Sequence, residues 1–116
     1  MRVIVCGGRT YDNEPLVREE LGALVAILGT NITIVHGAAP GADSLAARIA
    51  DEMGLATEPH PADWNAYGKP AGPIRNQEMA DSGADLCLAF PGERGTADMV
   101  RRAGAAGIPV KKVVDQ

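Results

Sequence analysis

Three short apolar runs, each ending in a glycine-rich turn, constrain the fold of this chain more than any other feature. Val3 to Cys6 runs into Gly7-Gly8, and Ile32 to Val35 into His36-Gly37-Ala38-Ala39-Pro40-Gly41. Asp85 to Phe90 runs into Pro91-Gly92-Glu93-Arg94-Gly95-Thr96. The runs are continuously apolar rather than alternating, which marks strands covered on both faces of a parallel sheet. Leu55 to Glu58 is a weaker strand, and Ile108 to Val114 is the last one.

Helical periods separate the strands. Leu16, Val17, Leu21, Leu24, Val25 and Leu28 form one stripe, opened by Asp12 or Asn13 as cap with Pro15 in the first turn, and stopped by Gly29. Leu45, Ala46, Ile49, Ala50 and Met53 form a second stripe, closed by Gly54. Further helices are predicted from about Ile74 to Ser82 and from after Thr96 to about Ala106. Between Pro59 and Pro73 four prolines and two glycines leave no period, and the segment reads as an ordered loop. The order β-α-β-α-β-loop-α-β-α-β predicts a Rossmann-like three-layer α/β/α sandwich on a mostly parallel five-stranded sheet. At 116 residues the chain fits a single domain, 1–116.

Composition narrows the function. The net charge of -4 counts against coating a nucleic-acid backbone, so a nucleic-acid partner is not expected. Cys6 and Cys87 sit in separate apolar runs and read as reduced, buried thiols; no Cys/His cluster suggests a metal, and nothing calls for a cofactor. No leader and no membrane-length apolar run is read, which predicts a cytoplasmic protein.

In an open parallel sheet, ligands bind outside the carboxyl ends of the strands. All three glycine-rich turns fall at that edge. Glycine lets backbone N–H groups approach a phosphate, and a following helix adds free N–H groups and the positive end of its dipole. The candidate ligand-binding residues are Gly7, Gly8 and Arg9; Gly37, Ala38, Gly41, Ala42 and Asp43; Arg75 and Asn76; and Pro91, Gly92, Arg94, Gly95 and Thr96. Thr96 is placed to cap its helix or to donate to a phosphate. Arg9, Arg75 and Arg94 add positive charge. Arg75, read as the start of its helix, is disfavoured there by the dipole, which argues for an anionic partner. No Walker lysine and no GxGxxG follow the first strand.

The segment Val35-His36-Gly37-Ala38-Ala39-Pro40-Gly41-Ala42-Asp43 resembles the S-G-x-A-x-G-I-D segment of the DNA-processing protein A (Smf) family. Gly72-Pro73-Ile74-Arg75-Asn76-Gln77 resembles its R-N-R segment, and Phe90 to Thr96 resembles the P-G-G-x-G-T motif of the LOG family. Together they resemble the SLOG superfamily of Rossmannoid nucleotide-binding domains, and within it the short stand-alone domains called DUF2493 or YpsA-related. The resemblance implies a nucleotide or nucleotide-derived ligand, held as by a sensor or carrier. It also implies a homodimer or higher homo-oligomer.

LOG enzymes cleave the N-glycosidic bond of nucleoside 5'-monophosphates, using a glutamate three residues after the threonine. Here that position holds Met99, and Asp98 lies one residue early, about 100° around the helix. The catalytic candidates for such an N-glycosidase are Arg75, Asp43 and Asp98. A single-strand DNA-binding domain is the third alternative. Asp43 reads equally as a ligand contact and as a first-turn carboxylate. Trp64 reads as a base-stacking ring or as a plug holding the loop to the core, with the plug preferred. His36 reads as a hydrogen-bonded packing residue before a general acid or base, and His60 has no evident partner.

Overall fold

A computed structural model describes residues 1–115. β1 (Arg2–Cys6) is the centre of a five-stranded sheet. It pairs in parallel with β2 (Thr33–His36) on one side and β4 (Leu86–Ala89) on the other. β3 (Ala56–Pro59) and β5 (Val110–Lys112) form the two edges, giving the order β3-β2-β1-β4-β5 with every pair parallel. The direction of winding reverses between β1 and β4, so the switch point lies above Gly7-Gly8 and Pro91-Gly92.

Val3, Ile4 and Val5 are fully buried, on alternating faces. Val3 and Val5 pack with Val17 and Leu21 of α1 (Glu14–Leu28) and with Ala46, Ile49 and Ala50 of α2 (Ala42–Glu52). Ile4 and Cys6 pack with Met79 and Ala80 of α4 (Ala71–Asp81) and with Met99 and Ala103 of α5 (Arg94–Ala105). Two cores on opposite faces of one sheet make the three layers. Each buried Leu, Ile or Val side chain contributes about 1.5–3 kcal/mol. The small Ala residues of α2 and α5 let both helices sit close to the sheet. Asn13 caps α1, its side-chain oxygen accepting from the Leu16 N–H at 3.2 Å. Leu28 lies outside the expected stripe, at the exposed end of α1.

The segment read as a loop is partly helical. Asp63 caps a single turn, α3 (Trp64–Tyr67), accepting from the Ala66 N–H at 3.0 Å. Four residues are too few to show a period. α4 starts at Ala71, not at Ile74, because Pro73 falls in its first turn, where a missing N–H breaks no helical hydrogen bond. β5 is shorter than its apolar run. It pairs only with β4, and Val114 beyond it is 69% exposed. No helix among the described residues is long and apolar enough to cross a membrane.

Gly41 carries the tightest packing requirement. Its φ is +80°, and a Cβ there would collide with the backbone carbonyl of Gly8 and sit 2.6 Å from the Arg9 carbonyl carbon. Gly41→Ala is expected to cost about 3 kcal/mol from strained backbone and steric overlap together. Urea denaturation of the purified variant measures it, and a loss below 1 kcal/mol would contradict this packing.

Candidate functional site

The three glycine-rich turns meet at one backbone residue. The Gly8 N–H donates to the Pro91 carbonyl at 2.8 Å, bridging the β1 and β4 turns across the switch point. The Gly8 carbonyl accepts from the Ala42 N–H, and from the Tyr11 N–H, at 3.2 Å each. The Ala42 bond ties in the start of α2. Space is as short as the bonds are direct. A Cβ on Gly7 would lie 3.0 Å from that of Phe90, and one on Gly92 would lie 2.8 Å from the Gly8 nitrogen and against Thr96.

A polar chain runs from this knot beneath the loops. The Gly37 N–H donates to Asp43 Oδ2 at 2.8 Å, and the Gly37 carbonyl accepts from Arg75 Nη1 at 2.5 Å. Arg75 Nε donates to Asn76 Oδ1 at 2.9 Å. Asn76 Nδ2 donates to Asp98 Oδ2 at 2.9 Å and to the Gly95 carbonyl at 3.3 Å. Asp98 also accepts from Arg102 Nε at 2.9 Å and from Arg101. One continuous path therefore links α2, the β2 turn, α4 and α5.

Burial sets the protonation states along this path. Asp43 is buried, and desolvation raises its pKa to about 6 against the opposing pull of the Gly37 N–H and the Arg75 guanidinium. Burial lowers the Arg75 pKa, partly offset by Asp43. Asp98 is moved the other way. Burial raises it, but hydrogen bonds from Arg102 and Asn76 and the charges of Arg102 and Arg101 outweigh that and hold its pKa low. His36 is buried, and desolvation, then repulsion from His60, lower its pKa. Its Nδ1 accepts from the Ala38 N–H at 3.0 Å, so the neutral ring carries its proton on Nε2. That is the packing role. Ala38 itself takes φ +56°, uncommon without glycine.

Several positions differ from the sequence reading. Arg75 is not at a helix start; it is the fifth residue of α4, half-buried and bonded to Gly37 and Asn76. Thr96 does not cap α5. Glu93 occupies the cap, no side chain caps the helix, and Thr96 is its third residue. Trp64 is not a buried plug: it is 47% exposed, with the Arg9 guanidinium 5.5 Å above its ring. His60 has partners, Glu58 Oε2 at 2.7 Å from its Nε2 and the His36 carbonyl at 2.7 Å from its backbone N–H. Arg94 is exposed at the first turn of α5. Cys6 and Cys87 are buried and free, as read, with their sulfurs 4.0 Å apart on neighbouring strands.

The position that would hold a LOG-type glutamate is closed. Met99 is 1% exposed and packs in the core beneath the sheet. Asp98 faces α4 and the two arginines instead.

A parallel sheet wound 3-2-1-4-5, with glycine-rich turns locked together over its switch point, defines a Rossmann-like α/β domain of the SLOG kind. Residues 1–67 match the model of the YspA, cpYpsA-related SLOG family, and the chain belongs to that family. The gene 61 protein of Mycobacterium phage D29 is 40% identical over 116 aligned residues, spanning 94% of this chain and 93% of the phage protein. Among solved structures, TM1055 aligns with a TM-score of 0.71 at 22% identity, over 94% of this chain and 71% of that one. The C-terminal domain of the PF1911 hydrogenase from Pyrococcus furiosus aligns with a TM-score of 0.54 at 15% identity, over 97% and 90%. Both share the fold.

Two outcomes follow. The protonated Asp43 is favoured by the fold, so its contribution is greatest at low pH and is lost as pH rises from 3.8 through about 6. Asp43→Asn keeps an acceptor for Gly37 without the buried charge. Its stability relative to the parent should rise by about 2–3 kcal/mol between pH 4 and pH 7; parallel urea-denaturation profiles would contradict this. Met99→Glu should destabilise by about 4 kcal/mol or more, because it buries an unpaired carboxylate. A variant that folds normally and releases base from a nucleotide would show the position to be open.

Proposed function

We propose that this protein binds a nucleotide or nucleotide-derived small molecule at the carboxyl edge of its sheet, as a sensor or carrier. The observation that carries this reading is the start of α5. Its first-turn N–H groups have no intrahelical partner, and no side chain caps them. Gly95, in that turn, has no atom within 4 Å of the place a Cβ would take. An uncapped helix start with an open glycine suits a phosphate. Arg9 and Arg94 stand exposed on the same edge and add positive charge.

Binding without hydrolysis is supported by where the acids are. Asp43 and Asp98 are both committed to internal hydrogen bonds, and Met99 fills the position of the LOG glutamate, which leaves Glu93, exposed just before α5, as the free acid nearest the seat. An oxocarbenium-like ribose would need a carboxylate facing it.

Gly95→Leu tests the phosphate seat. The site around Gly95 is open, and leucine is the better helix former, so the melting temperature should be unchanged or higher. Calorimetric affinity for nucleoside 5'-monophosphates or ADP-ribose should fall about tenfold or more, as one lost charge-assisted contact implies. Undiminished affinity would place the phosphate elsewhere. Chromatography of the incubated parent should show no free base; release abolished by Arg75→Ala would replace binding with hydrolysis.

A further inference from the structure

Resting on that reading, we infer that the cleft between α5 and the end of β5 receives the heterocyclic base of the bound nucleotide. The cleft is about 590 Å³, within the range of small-molecule sites. Ala97 and Val100 of α5 form one wall, and Val113 and Val114 form the other. Val114 is left 69% exposed there, an apolar side chain at the mouth with nothing over it. Lys112 and Arg101, the latter also bonded to Asp98, line the cleft with Glu93 and Asp115 and offer donors and acceptors to the edge of a base.

The cleft is continuous with the phosphate seat, because Gly92, Glu93 and Thr96 line it too. A ligand with its phosphate at the start of α5 therefore has an apolar recess within reach. Two alternatives are already engaged within the protein. The gap between β1 and β4 is closed by the hydrogen bond from Gly8 to Pro91. Trp64, the obvious ring for stacking, already carries the Arg9 guanidinium at 5.5 Å and packs its edge toward Gly72.

Ala97→Phe fills the cleft from an exposed helix position. Calorimetry on the full chain with the four nucleoside 5'-monophosphates and with ribose 5-phosphate reads the outcome. At least a tenfold loss for the best-bound monophosphate is expected, with ribose 5-phosphate within twofold of the parent. Val114→Asp, at an exposed position, should give the same split and guards against a misfolded first variant. Trp64→Ala should stay within twofold for both ligands. The inference is overturned if both cleft variants bind the monophosphate like the parent. It is also overturned if they lose both ligands equally, or if Trp64→Ala loses the monophosphate tenfold. A parent that binds ribose 5-phosphate as tightly as every monophosphate removes the base site alone. A parent that binds neither removes the nucleotide reading itself.

Discussion

The backbone of Gly8 holds the candidate site together. Its N–H bonds to Pro91 on one side of the switch point, and its carbonyl takes the Ala42 N–H on the other. In most open parallel sheets the crevice at the switch point is where a ligand enters. Here the protein closes that crevice with its own main chain. The glycines around it serve that closure: Gly7, Gly41 and Gly92 all have neighbouring atoms where a Cβ would stand. A ligand at this edge would lie over the knot or beside it, where a cleft of about 590 Å³ opens toward β5.

Beneath the knot, the polar chain from Asp43 to Arg102 fixes how the helices sit. Buried charges need partners, and breaking one end of a buried pair leaves the other uncompensated. Arg75 is the centre of this arrangement, held by a carbonyl and an amide oxygen rather than by a direct ion pair. Asp43 takes backbone N–H groups instead. The two are thus linked through Gly37, whose N–H faces one and whose carbonyl, in the next peptide unit, faces the other. Turning either peptide unit that flanks Gly37 would strand one of them. This explains why Gly37 is hemmed in by Arg75 and Asp43 and why a side chain has no room there.

The fold was legible because both its signals are local. Continuous apolar runs marked strands covered on two faces, and the 3.6-residue stripes of α1 and α2 marked the covering layers. Failures came where local signals are too short or ambiguous. α3 has four residues, Pro73 reads as a breaker yet sits in a first turn, and β5 is trimmed by the length of its one neighbour. At the site, the convergence of the three turns followed from topology and could be read in advance. The partners could not. Asp98 with Asn76, His60 with Glu58 and Arg9 over Trp64 depend on helix rotation and loop path. The β5 cleft was missed for the same reason: its walls are ordinary Ala and Val residues with no motif to mark them.

Glycine-rich turns are usually taken as phosphate cradles, and this edge shows that the inference must be made one glycine at a time. Gly7, Gly37, Gly41 and Gly92 are accounted for by contacts within the protein. They would be required even if nothing ever bound. Gly95 is different, since nothing lies within 4 Å of where its Cβ would stand. Openness alone is not decisive, because Gly104 in the last turn of the same helix is equally open. Position separates them. Gly95 lies where the helix N–H groups are free and its dipole is positive, whereas Gly104 lies at the opposite end, where an anion is repelled. On the proposed reading, the ligand-directed part of the motif thus contracts to the first turn of α5, and the rest of the glycine signature packs three loops together around it.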